Sequence, residues 1–203
     1  MEGLNLEAAG IEAGPKGVTT DASLKTTNRK VWAVGDVAGR WQFTHIASYH
    51  ASIVIRQALF RLPAKVDDRA VPWTTYTDPE LAQVGLTAAG AQAAGLKVKP
   101  LTFPFEENDR ARAEAATEGF VKVLADGKGR VHGATIVGAR AGELVQLWGL
   151  VIQERIGIGK VAQMIAPYPT LSEADKRAAG AYYTPTLFSG RTRGVVRFLS
   201  RFG

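Results

Sequence analysis

Gly119-Phe120-Val121-Lys122-Val123-Leu124 and Arg130-Val131-His132-Gly133-Ala134-Thr135-Ile136-Val137, joined about Asp126-Gly127-Lys128-Gly129, form the stretch of this chain that decides its fold. Both runs are rich in β-branched side chains, and the aspartate and glycines between them suit a tight reversal, so the stretch predicts an antiparallel hairpin. Upstream, residues 97–105 read as extended, residues 73–77 and 82–85 as short strands about the Asp78-Pro79 turn, and residues 110–115 as a loop or short helix. Thr87 is placed to cap a helix that runs through Ala94 and that Gly95 ends. Downstream, Leu144, Leu147, Val151 and Ile152 share one side of a helix beginning at Gly142, and a second helix is expected from Ser172, after the Pro169 turn. Strands followed by helices in one block imply an α+β domain with a mainly antiparallel sheet and flanking helices.

The first 63 residues are organised differently. Gly10, Gly14-Pro15 and Gly17 punctuate short extended pieces, and Val31-Trp32-Ala33-Val34 predicts a buried strand that stops at Gly35-Asp36. After the Gly39 turn, residues 44–60 carry Ile46, Tyr49, Ile53, Ala58 and Phe60 at helix-like spacing. A strand, a glycine turn and a helix in that order is the layout of an α/β ligand-binding edge. Residues 61–70, with Pro63 and the charged Lys65, Asp67, Asp68 and Arg69, read as a linker, which puts a boundary near residue 64 and divides the chain into 1–63, 64–185 and 186–203.

Composition narrows the chemistry. At 203 residues and 46% hydrophobic content the chain can bury a substantial core. No run approaches the roughly 18 consecutive apolar residues of a membrane span, and Met1 leads into Glu2 and Glu7 rather than a basic and then apolar leader, so a cytoplasmic location is expected. The absence of cysteine excludes disulfides, thiolate metal sites and thiol redox chemistry within these residues. Three histidines without a helical pair make no metal site, and none is expected. The net charge of +6 is concentrated near the end of the chain, where Arg191, Arg193, Arg197 and Arg201 interleave with Val195, Val196, Phe198, Leu199 and Phe202 as a basic amphipathic helix. That helix has two readings: a packed or frayed terminal element, or a contact with a membrane surface or an acidic partner. No nucleic-acid partner is expected.

Several motifs resemble the class I pyridine nucleotide-disulfide oxidoreductases, the family of dihydrolipoamide dehydrogenase, glutathione reductase and mercuric reductase. The run from Thr26 to Asp36, ending Ala33-Val34-Gly35-Asp36, resembles the family's second flavin-binding motif, T-(six residues)-A-x-G-D. The resemblance implies that Gly35 lets the backbone approach FAD and that Asp36 holds its ribityl chain; a plain β-turn with an aspartate at its corner is the other reading. Phe43-Thr44-His45-Ile46-Ala47 is similar to the segment whose amides meet the flavin's pyrimidine edge, which makes Thr44, His45 and Ala47 candidate cofactor residues, with a purely structural role open for His45. Thr75-Tyr76-Thr77-Asp78-Pro79-Glu80-Leu81-Ala82-Gln83-Val84-Gly85 resembles the opening of the family's dimerisation domain. Glu107-Asn108-Asp109-Arg110-Ala111, Gly133-Ala134-Thr135-Ile136-Val137-Gly138 and Ala141-Gly142-Glu143 also sit at family-like positions, with structural and interface roles.

The resemblance extends to Ile165-Ala166-Pro167-Tyr168-Pro169-Thr170-Leu171-Ser172-Glu173, which is similar to a catalytic run reading His-x-His-Pro-Thr-x-x-Glu. Tyr168 aligns with the second histidine, an acid and base that reaches across the dimer, and Glu173 with the glutamate that orients it; both are candidate catalytic residues. A phenol with a pKa of about 10 is protonated at neutral pH, so Tyr168 is expected to donate a hydrogen bond rather than act as a base. A half-buried interface aromatic is the alternative. Mercuric reductases carry a Pro-Tyr-x-Thr segment here, although the vicinal cysteines that usually end them are not found in this chain. Residues 1–63 are thus expected to be the end of an FAD-binding domain, 64–185 the dimerisation domain of a homodimer, and 186–203 a basic tail. The family's G-x-G-x-x-G motif and C-x-x-x-x-C pair are not among these residues. The chain is therefore expected to be the C-terminal portion of an FAD- and NAD(P)H-dependent reductase of disulfides or metal ions that retains no cofactor alone, or else a non-catalytic dimerisation module.

Overall fold

The computed structural model describes residues 1–202. Gly203, the last residue of the 186–203 tail, lies outside the described residues. The chain divides into two compact units, Met1–Asp68 and the unit that begins at Arg69.

In the first unit a minimal hairpin pairs β1 (Ala13–Gly14) with β2 (Gly17–Val18). Val18, Ala33 and Ala38 bury together, with Leu6 and Ile11 packed against them. A single 3-10 turn, Gly35–Ala38, ends at Gly39, and α1 (Thr44–Ala58) follows. Its inward stripe is Ile46, His50 and Ile53, spaced four and three apart as an amphipathic helix requires. The helix stops two residues short of Phe60. Arg61 turns to φ 56 and the Leu62 amide bonds the Arg56 carbonyl at 3.0 Å, closing the last turn and leaving Leu59 and Phe60 exposed.

The strand expected over Val31-Trp32-Ala33-Val34 does not form. Trp32 makes an isolated bridge with Lys25, flanked by bonds from the Thr26 amide to the Val31 carbonyl (3.0 Å) and from the Ala33 amide to the Leu24 carbonyl (3.1 Å). Apolar β-branched residues favour extended backbone, but a strand needs a ladder, and the 24–26 segment supplies only enough pairing for one bridge.

The second unit is built on five antiparallel strands: β3 (Pro72–Thr75), β4 (Glu80–Gly85), β5 (Val98–Pro104), β6 (Phe120–Asp126) and β7 (Val131–Gly138), in the order β3-β4-β7-β6-β5. The expected hairpin is β6 and β7. Asp126 closes it, its Oδ1 accepting from the amides of Lys128 at 2.8 Å and Arg130 at 3.1 Å, with Gly129 at φ 78. β7 lies at the centre because its backbone is bonded on both sides, to β6 and to β4. Between β4 and β5, Thr87 caps α2 (Ala88–Ala93) by accepting from the Gly90 amide at 3.1 Å, and Gly95 at φ 66 ends it. Asn108 caps α3 (Asp109–Ala113) in the same way.

After the sheet come α4 (Ala141–Gln153), α5 (Ile158–Gln163), α6 (Glu173–Gly180), α7 (Thr184–Leu187) and α8 (Gly190–Leu199). α4 packs on β4 and β7, and α6 on β5 and β6, so the two helices cover the sheet with their apolar sides. The core holds Trp148, Phe105, Ile136, Val121, Val123, Val145 and Ile158, all essentially inaccessible. Trp148 of α4 also ties the two helices together, its indole N–H donating to Asp175 of α6 at 2.7 Å. This is an α+β domain with an antiparallel sheet, as the order of strands and helices in the sequence implies. No helix among the described residues is long and apolar enough to cross a membrane.

Candidate functional site

The segment that leads from α5 to α6 is held by a buried asparagine. Asn108, 2% exposed, accepts from the Ala111 amide at 2.9 Å through Oδ1, and its Nδ2 donates to the Thr170 carbonyl at 3.1 Å. Thr170 in turn donates through its hydroxyl to the Pro167 carbonyl at 2.7 Å, which curls the chain over residues 167–170. This curl presents the Tyr168 ring on the surface, 69% exposed, with its hydroxyl donating to Asp109 Oδ2 at 2.9 Å. Two motifs some sixty residues apart in sequence, Glu107-Asn108-Asp109-Arg110-Ala111 and Pro167-Tyr168-Pro169-Thr170, therefore form one corner. Ile165, 97% exposed, stands beside them in the chain.

Electrostatics fix the protonation of the phenol. The hydrogen bond to Asp109 and the charge of that carboxylate push the Tyr168 pKa above its ordinary 10.0, with smaller contributions from burial and from the Glu173 charge. Tyr168 is a neutral donor at physiological pH, and its proton is directed at Asp109. Glu173, at the start of α6, accepts from Arg177 one turn along, at 3.1 Å from Nε and 2.9 Å from Nη2. Its carboxylate reaches Tyr168 through charge; the hydrogen bond that orients the phenol comes from Asp109.

In the first unit the turn at Gly35 and Asp36 packs on the first two turns of α1. Gly35 has φ 67, and a Cβ there would meet the Ala47 Cβ at 3.0 Å, so only glycine brings the turn this close to the helix. The Gly35 amide donates to His50 Nδ1 at 3.1 Å. That bond puts the proton of the neutral ring on Nε2, and burial lowers the His50 pKa, with opposing smaller effects from Asp68 and Arg40. His50 Nε2 is buried without a hydrogen-bond partner among the described residues. Asp36, Thr44 and His45 are exposed. Phe43 precedes the helix without a side-chain cap, and its carbonyl accepts from the amides of Ile46 at 3.0 Å and Ala47 at 3.1 Å. The His45 ring stacks on Phe43 with centroids 5.2 Å apart, and Phe43 stacks on Trp41 at 6.3 Å.

Gly35, Ala47 and the first turn of α1 are thus brought together, and Tyr168 and Glu173 share the second unit's corner with Asp109. The sequence motifs assign Asn108 and Asp109 only structural and interface roles, and His50 no role. For His50 a signal was present, a lone polar residue in the apolar stripe of α1; for Asp109 the 107–111 motif marks the position but not the partner, which is fifty-nine residues away.

Residues 71–179 match the family model for the pyridine nucleotide-disulphide oxidoreductase, dimerisation domain. A mercuric reductase of Bacillus cereus is 37% identical over 177 residues, covering 86% of this chain and 28% of that protein. A dihydrolipoyl dehydrogenase of Halobacterium salinarum is 40% identical over 178 residues, covering 87% and 37%. Among solved structures, LpdA from Mycobacterium tuberculosis aligns with a TM-score of 0.83 at 30% identity, over 88% of this chain and 39% of that one. The HOCl-induced flavoprotein disulfide reductase RclA from Escherichia coli aligns at 0.80 and 29% identity, over 87% and 41%. The chain spans about a third of the length of these curated relatives. A family match over more than half of the residues, on the antiparallel sheet and helix pair that carry it, means that the chain belongs to the pyridine nucleotide-disulphide oxidoreductases and contains their dimerisation domain.

Proposed function

We propose that the chain is the C-terminal portion of an FAD- and NAD(P)H-dependent reductase of a disulfide or a metal ion, and that it forms a homodimer in which Tyr168 and Glu173 complete the partner's active site. In this reading residues 1–63 end the FAD-binding domain, 64–185 form the dimerisation domain and 186–203 the tail, in a cytoplasmic enzyme. The observation that carries it is the exposed Tyr168 phenol, kept neutral and oriented by its hydrogen bond to Asp109 on a dimerisation domain. Its metal-ion branch draws on the mercuric reductases among the relatives and on RclA, which is also solved as a Cu(II) complex.

The residues of the first unit fit FAD. Asp36 offers an exposed carboxylate that accepts hydrogen bonds from polyol hydroxyls, and the start of α1 at Thr44, His45 and Ala47 offers a positive dipole end. Gly35 removes the side chain that would hold the turn away from Ala47. Bound FAD supplies the electron relay between nicotinamide and substrate. Tyr168 keeps its proton on Oη, and Asp109 holds the ring in place while Glu173 raises the cost of ionising it.

In a full-length enzyme containing these residues, NAD(P)H oxidation with mercuric ion or a disulfide should slow when Tyr168 is replaced by phenylalanine, and lipoamide should be a poor substrate. Fast lipoamide turnover indifferent to Tyr168→Phe sinks this reading. The complete lack of cysteine favours a second reading for the 203 residues taken alone, a dimerisation module without turnover. Bound yellow flavin together with NADPH oxidation in the purified chain refutes that alternative; a colourless dimer supports it.

A further inference from the structure

α8 buries none of its residues. It is nevertheless a well-made helix: Ser189 caps it by accepting from the Thr192 amide at 3.1 Å, and the Thr192 hydroxyl donates to the Thr186 carbonyl in α7 at 2.7 Å. At 3.6 residues per turn, Arg193 and Arg197 fall on one side of α8, while Val195, Phe198 and Leu199 fall on the opposite side; Arg201 and Phe202 follow in the turn beyond the helix. These four apolar side chains are between 52% and 75% exposed, and the Phe198 and Phe202 rings meet edge-on with centroids 5.2 Å apart. Arg191 lies within the apolar stripe in projection, between Phe198 and Val195, where a long aliphatic stem lets its guanidinium snorkel outwards. Among the described residues none of the four arginines is in an ion pair, and after Asp175 the sequence contains no acidic residue.

We propose that α8, with the turn that follows it, is an interfacial anchor that lies flat on an anionic lipid surface, with Val195, Phe198, Leu199 and Phe202 among the acyl chains and the arginines at the headgroups. Charge complementarity selects the occupant. An acidic protein surface engaging the arginines leaves the phenylalanine stripe in water, and an apolar protein groove engaging the stripe leaves four arginines unpaired. A bilayer bearing anionic headgroups satisfies both sides of the helix at once, with apolar burial and electrostatic attraction adding. Because the helix is capped and formed in advance, binding does not have to order it.

The test is sedimentation of the whole chain with vesicles, either of phosphatidylcholine alone or with about a third phosphatidylglycerol, in low and high salt. The variants are Arg193→Glu with Arg197→Glu, and Phe198→Ser with Phe202→Ser. All four positions are exposed, and circular dichroism checks that the fold is kept. The proposal expects binding to the anionic vesicles, weaker by ~10-fold or more on neutral vesicles, in high salt and in the charge-reversed variant, and a comparable loss in the serine variant. Absence of binding to anionic vesicles overturns it, as does undiminished binding by either variant. A change of oligomeric mass in the serine variant, read by light scattering, also overturns it by assigning the stripe to a protein contact.

Discussion

At the scale of single residues, the site depends on Asn108 as much as on Tyr168. Asn108 is buried, caps α3 and holds the carbonyl of Thr170, so replacing it with alanine loses a cap and removes the donor of a half-buried acceptor. Asn108→Ala should cost about 2 kcal/mol in urea unfolding and loosen the Tyr168 corner; a loss within error of zero contradicts the clamp. Asp175 tests a different balance. It is 1% exposed, and burial raises its pKa to about 7 against the smaller, opposing effect of the Trp148 hydrogen bond. An acid whose folded pKa lies above its unfolded value contributes most below the unfolded value, near 3.8, and that contribution is lost as pH rises through about 7. At about 1.4 kcal/mol per unit, the unaltered chain should lose on the order of 4 kcal/mol across this window relative to Asp175→Asn, which stays neutral and can still accept from Trp148. Parallel pH profiles for the two proteins contradict it. Tyr168 and Glu173 are candidates from their motif, whereas the bond of Asp109 to Tyr168 depends on the fold, which closes the 107–111 and 165–170 segments upon each other.

At the scale of elements, the parts that depend on local chemistry were legible and the parts that depend on partners were not. The β6 and β7 hairpin carries its turn residues with it, and Thr87 and Gly95 mark both ends of α2. The residues around Trp32 have the same β-forming character, yet they make one bridge, because strand formation is settled by the neighbour. The short α5, flanked and interrupted by glycines at 157 and 159, and the single-turn α7 carry too few residues to announce themselves by periodicity. β7 offers the sharpest test of the sheet. Gly133 lies against the backbone of Leu86, and a Cβ there would run into the Leu86 carbonyl. Gly133→Ala should therefore destabilise the second unit by about 2 to 3 kcal/mol in denaturant unfolding, since a backbone atom cannot move aside as a side chain can. A neutral substitution means that β4 and β7 are not joined in this way.

At the scale of the whole molecule, the account turns on association. The second unit is a dimerisation domain by family, and the corner that carries Tyr168 leaves Ile165 almost fully in water, a large aliphatic side chain with no partner within its own subunit's core. Burying such a residue against another subunit contributes roughly 1.5 to 3 kcal/mol, so Ile165 is the place to look for an interface contact. Flavin binding by the first unit and the lipid contact of α8 are separate questions, because neither needs the Ile165 corner. The direct measurement is the solution mass of the purified chain by size-exclusion chromatography with light scattering, alongside Ile165→Asp. The account predicts a particle of twice the 21.7 kDa chain mass that falls to a single chain in the variant, whereas a monomeric unaltered chain contradicts it.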